Sequence, residues 1–103
     1  MNSVQFKRGY VRPKNKILII DDDMEMHVLF ELFLRDYNYE LFLCINFDDA
    51  LNVLNQVSGK VDLILTDLHI EGAAYKANKF AEEVHENYPS MRVVLFTGFL
   101  SDE

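Results

Sequence analysis

The sequence predicts an α/β protein, an open parallel sheet with helices on both faces. Three observations carry this expectation. Four short apolar runs alternate along the chain with segments of helical period, in the order βαβαβαβ. The runs are rich in Ile, Val and Leu with no polar alternation, as in strands buried on both faces. Helices of roughly 10 to 15 residues between such strands imply parallel pairing through right-handed crossovers.

The first strand, Ile17 to Ile20, is β-branched at three of four positions and runs directly into Asp21, Asp22 and Asp23. From Met24 to about Tyr37 the period changes. Met26, Leu29, Phe30, Phe33 and Leu34 mark an amphipathic helix, and Asp23 is placed to cap it. Glu40 to Ile45 reads as the second strand. Asn46 caps a helix carrying Ala50, Leu51, Val53, Leu54 and Val57, which Ser58-Gly59 stops. Val61 to Leu65 is the third strand and leads into Thr66-Asp67. After a loop around Glu71-Gly72, a third helix spans about Tyr75 to Asn87, with Phe80, Ala81 and Val84 inward and Pro89 closing it. Val93 to Phe96 is the fourth strand, ending in Thr97-Gly98.

With 103 residues, half of them hydrophobic, the chain fits one domain that buries roughly 60% of its unfolded surface. Its formal net charge of -7 argues against nucleic acid as a partner and for attraction to cations. Lys7, Arg8, Arg12, Lys14 and Lys16 precede every acid, so residues 17–103 carry all 17 acids and only five bases. Residues 1–15 are expected to form a basic, flexible N-terminal segment, and residues 16–103 the domain. No apolar run is long enough for a signal peptide or membrane span, so a cytoplasmic protein without membrane contact is expected. Cys44, the single cysteine, reads as a small buried hydrophobe.

Parallel strands point one way, so the residues after each strand gather along one edge, where open α/β sheets bind ligands. Asp21, Asp22 and Asp23, then Asp67, then Thr97 would meet there. One acid suffices to cap the first helix; the Asp21-Asp22 pair and Asp67 need another explanation. Carboxylates without Arg or Lys in the same segments suit a hard divalent cation such as Mg²⁺, which takes a few carboxylates and keeps room for phosphate oxygens. His27, His69 and His85 lack zinc spacing and read as surface or packing residues, although the main-chain carbonyl of His69 lies on the Asp67 loop.

ILIIDDD, VDLILTDLHIEG and RVVLFTGF together resemble the first, third and fourth strand motifs of a response-regulator receiver domain. The resemblance runs from about Lys16 to the end of the sequence. It implies a flavodoxin-like fold with strand order 2-1-3-4 and a signalling module, not an enzyme, that accepts a phosphoryl group from a sensor histidine kinase or a phosphotransfer protein. Position by position, it implies that Asp67 takes the phosphoryl group. Asp22, Asp67 and the His69 carbonyl would hold Mg²⁺, with Asp21 acting through a water, and Thr97 would donate its hydroxyl to a phosphoryl oxygen.

In three respects the sequence departs from the family pattern. A receiver cut short after the fourth strand, or a fragment of a longer chain, is expected: the usual fourth helix, fifth strand and fifth helix are not within this sequence, nor is the fifth-strand lysine, whose place none of Lys60, Lys76 or Lys79 takes. Glu71 stands where a proline is usual and is expected to add charge near the site. The fourth strand is expected to be an exposed apolar edge through which two copies of the chain associate. Two other functions are compatible with parts of the pattern. A receiver-like interaction module would bind a partner without phosphotransfer. A haloacid-dehalogenase-type hydrolase would use Asp21 and Asp23, but it leaves Asp67 without a role and has Glu25 where a threonine is expected.

Overall fold

A computed structural model describes residues 15–96. The basic segment 1–14 and Thr97 lie outside the described residues. Four strands, β1 (Asn15–Ile20), β2 (Tyr39–Cys44), β3 (Leu63–Asp67) and β4 (Val93–Phe96), form one parallel sheet in the order β2-β1-β3-β4. Helices α1 (Met24–Leu34), α2 (Phe47–Gln56) and α3 (Ala74–Asn87) make the crossovers, and a single 3-10 turn at Ile70–Gly72 precedes α3. The fold is the flavodoxin-like order expected from the sequence. Among the described residues, no helix is long and apolar enough to cross a membrane.

Alternation along β1 divides the core. Leu18 and Ile20 join Ile64, Cys44, Phe47, Ala50, Leu54, Ala77, Phe80 and Val84 in one cluster, which α2 and α3 close over. Phe47 and Phe80 stack across those two helices with ring centroids 4.9 Å apart. Ile17 and Ile19 point to the opposite face and are also buried. On that face Phe30 of α1 and Phe96 meet edge-to-face with ring centroids 6.0 Å apart. The central strand is therefore apolar at every position from Ile17 to Ile20 because both of its faces are covered.

Local signals set the helix starts. Asp23 Oδ1 accepts the Glu25 N–H at 2.9 Å to open α1, and Asn46 Oδ1 accepts the Asp49 N–H at 2.8 Å to open α2. α2 ends as Ser58 and Gly59 turn to φ +55° and +71°, with the Gly59 N–H returning to the Leu54 carbonyl at 2.8 Å. Glycine suits that turn, since its φ is positive and a Cβ on Gly59 would run into the Tyr88 ring.

The structure corrects several boundaries, β1 starting two residues early at Asn15 and β2 running from Tyr39 to Cys44. α1 ends at Leu34, not near Tyr37, because the following residues serve the next strand pair: the Asn38 carbonyl accepts the Asn15 N–H that starts β1. β3 begins at Leu63, since the Val61 N–H is taken by the Gly59 carbonyl and Asp62 turns its side chain to the Lys16 N–H at 2.7 Å. It then runs through Asp67, which pairs with Phe96. The inward face of α1 also differs from the expected one: Leu29 and Phe33 are exposed, while His27 is buried. α1 is apolar almost all round, so periodicity could not select its inner side. At the sheet edge, Val94 and Leu95 of β4 are exposed.

Two measurements follow from this packing. Leu18→Ala, which hollows the fully buried centre of β1, is expected to lower stability by about 2–5 kcal/mol in urea unfolding. Burial, reinforced by the charge of Asp49, pushes the Cys44 thiol up to about 11. Cys44 is therefore expected to resist a thiol reagent at mildly alkaline pH in the folded protein and to react fully once the chain is unfolded.

Candidate functional site

The sheet register builds the site. Ile20 pairs with Cys44 on one side and Thr66 on the other. One residue further on, Asp21 and Asp67 leave neighbouring strands at the same level. One carboxylate oxygen from each of Asp21, Asp22 and Asp67 lies within 4.8 Å of the others. Asp21 is 1% exposed and Asp67 8%, whereas Asp22 faces solvent.

Asp21 is held from several directions. Its N–H donates to the Cys44 carbonyl at 3.0 Å, and its Oδ1 accepts the Asp23 N–H at 2.9 Å. Its Oδ2 is buried and has no hydrogen-bond partner. Asp67 Oδ1 accepts the His69 N–H at 2.9 Å, which fixes the rotation of that carboxylate. The Thr66 hydroxyl donates to the Asp67 main-chain oxygen at 3.2 Å. Among the described residues, no Lys or Arg forms an ion pair with the three acids. The ion pair that Lys76 makes, at 3.9 Å, is with Glu71.

Charge accounting favours a cation. Asp21 and Asp67 present oxygens no more than 4.8 Å apart. Two like charges at that spacing repel by about 3–4 kcal/mol at the effective dielectric near a protein surface. The single hydrogen bond to Asp21 Oδ1 returns about 1.5–3 kcal/mol. Burial pushes the Asp21 carboxyl above its ordinary value of 3.8, the Asp23 N–H opposes this, and the charges of Asp67, Asp22 and Asp23 add to the rise. A buried carboxylate oxygen without a donor, facing two further carboxylates, is a donor set for a hard divalent cation, so the residues fit Mg²⁺.

Of the residues singled out in the sequence, the structure therefore brings Asp21, Asp22 and Asp67 together. Asp23 is spent on capping α1. The His69 carbonyl accepts the Gly72 N–H at 3.1 Å within the 3-10 turn, which leaves it a second lone pair. Glu71, at φ +60°, is engaged with the first turn of α2, where its Oε2 lies 3.4 Å from the Phe47 N–H. Its carboxylate is not one of the converging three. His27 went unrecognised as a contact of the site. Its Nε2 lies 2.6 Å from the Asp21 main-chain oxygen. The only hint in the sequence was a histidine among the apolar residues of the first helix, six positions after Asp21.

Fold and acid cluster define a class, the parallel α/β module with carboxylates at the carboxyl ends of its central strands. The family model of the response regulator receiver domain matches residues 17–103. The chain belongs to that family and is a receiver domain of two-component signalling. It is 33% identical to a two-component response regulator of Arabidopsis thaliana over 57 residues, 55% of this chain and 15% of that protein. It is 30% identical over 100 residues to a 3',5'-cyclic-nucleotide phosphodiesterase of Dictyostelium discoideum, covering 94% of this chain and 12% of that protein. The chain thus spans only a small part of these relatives.

Two solved structures share the fold. The signal receiver domain of an HD domain-containing protein from Pseudomonas fluorescens Pf-5 superposes with a TM-score of 0.72 at 23% identity, over 91% of this chain and 66% of that one. A receiver domain from Saccharomyces cerevisiae, solved with a histidine phosphotransfer signaling protein, gives a TM-score of 0.64 at 22% identity, over 91% and 69%.

The Asp21 shift sets a pH dependence. The folded protein holds this proton more tightly than the unfolded chain, so stability is lost as pH rises above 3.8 through the raised folded value. Asp21→Asn is expected to raise the thermal midpoint of the metal-free protein near neutral pH, with the gain vanishing in acid well below 3.8. Millimolar Mg²⁺ is expected to raise the midpoint of the wild type more than that of the variant.

Proposed function

We propose that this receiver domain accepts a phosphoryl group on Asp67 from a phosphohistidine of a sensor kinase or phosphotransfer protein, with Mg²⁺ held by Asp22, Asp67 and the main-chain carbonyl of His69, and by Asp21 through a water. The observation that carries this reading is the convergence of three carboxylates, two of them buried, at the ends of β1 and β3. Helix capping and ion pairing leave this convergence unexplained. The histidine phosphotransfer protein bound to the yeast receiver supports a partner of that class.

The residues divide the work. Asp67 supplies the nucleophile: with Oδ1 held by the His69 N–H, Oδ2 is the oxygen offered to phosphorus. A P–O bond forms on Asp67 as the P–N bond of the phosphohistidine breaks. The leaving imidazole nitrogen keeps the electron pair and is reprotonated from solvent. Mg²⁺, when bound, supplies positive charge against the transferring phosphoryl oxygens. Asp21 and Asp22 supply the negative charge that recruits the cation. Asp22, exposed at the rim, is the carboxylate that solvent and a docking partner reach first. Thr97, one residue past β4, is the proposed hydroxyl donor to a phosphoryl oxygen.

Incubation with Mg²⁺ and acetyl phosphate tests this. Wild type is expected to gain the mass of one phosphoryl group, and Asp67→Asn to show background only. Modification of neither protein would point instead to an interaction module, and modification that requires Asp21 but not Asp67 to hydrolase-type chemistry.

A further inference from the structure

α1 carries apolar residues on nearly every side, yet the residue it buries most fully is His27, 5% exposed. An imidazole there gives up hydration at two ring nitrogens, a loss that Leu or Met would not incur. Its Nε2 lies 2.6 Å from the main-chain oxygen of Asp21. A carbonyl oxygen only accepts, so Nε2 carries the proton and donates it.

That carbonyl belongs to the peptide plane joining Asp21 to Asp22. Fixing it sets the direction in which the chain leaves β1 and so the direction in which each of the two carboxylates projects. The Asp21 N–H is anchored on Cys44, the carbonyl on His27, and the side-chain Oδ1 on the Asp23 N–H. The unpartnered atom is Oδ2, buried at the acid cluster.

We propose that His27 is a positioning residue for the metal site: its ring N–H clamps the Asp21–Asp22 peptide so that both carboxylates are presented together with Asp67. This rests on the reading of Asp21, Asp22 and Asp67 as a Mg²⁺ site. His27 touches no reacting atom and acts through the backbone of the ligands. Partners that orient metal ligands in this way contribute about 10- to 100-fold to metal affinity.

The test is Mg²⁺ affinity of the folded protein, followed through the amide resonances of Asp22 and His69. His27→Met and His27→Phe keep apolar volume without a donor and are expected to weaken Mg²⁺ binding about tenfold or more. His27→Gln, whose side-chain amide can donate from nearly the same place, is expected to stay close to wild type. Unchanged affinity in folded Met or Phe variants, even with a lowered thermal midpoint, makes His27 a packing residue and overturns the proposal while the Mg²⁺ site stands. A second readout needs no substitution: the Nε2 proton resonance of His27 is expected to shift when Mg²⁺ is added to wild type. If that proton does not respond while the Asp22 amide does, the coupling is wrong. If wild type shows no Mg²⁺-dependent shift at the cluster, both the site and the role of His27 fall.

Discussion

The pairing of Ile20 with Cys44 on one side and Thr66 on the other is the constraint from which core and site both follow. In this register Leu18, Ile20 and Ile64 share one buried face, and Asp21 and Asp67 emerge side by side. A slip of one residue would turn each apolar side chain of β1 to the other face and set Thr66, not Asp67, level with Asp21. The register, whichever packing on the two covered faces selects it, brings the carboxylates together. Repulsion of about 3–4 kcal/mol within one buried pair is large beside the net stability of a domain, about 5–15 kcal/mol, and small beside the apolar burial that opposes it.

The three consecutive acids after β1 separate into distinct roles because the chain changes direction through them. Asp21 still belongs to the sheet: its N–H completes the ladder to β2, and its side chain stays buried. Asp22 lies at the turn and faces solvent. Asp23 is the first residue of helical business, its carboxylate capping α1 while its own N–H returns to Asp21. A run that looks repulsive as a sequence is in three dimensions a buried carboxylate, an exposed carboxylate and a cap. Violation of local electrostatic consistency at a ligand site is the general expectation for a folded protein, since packing elsewhere can sustain it.

The family model matches residues 17–103, and the sheet runs in the order β2-β1-β3-β4. The two solved neighbours, at 22% and 23% identity, share the fold. The proposed chemistry rests on this chain's own atoms: an oriented Asp67, an orphaned Asp21 oxygen and a solvent-facing Asp22. His27 connects the first helix to this cluster, its Nε2 lying 2.6 Å from the Asp21 main-chain oxygen.

The strands could be read from the sequence because doubly covered parallel strands are continuous apolar runs, as Ile17 to Ile20 shows, and the caps Asp23 and Asn46 because capping is local chemistry. The candidate ligands Asp21, Asp22 and Asp67 could be named because they stand at or within two residues of the end of such a run. What the sequence by itself determined was thus the order of elements, the edge at which the acids collect and the identity of those acids. Tertiary structure decided the rest: which side of the uniformly apolar α1 turns inward, which Asp21 oxygen is left without a donor, and that Glu71 engages α2 and Lys76. The reason is range. Periodicity and capping act within a few residues, whereas a helix's rotation and a carboxylate's partners depend on atoms brought together only when the sheet closes its register.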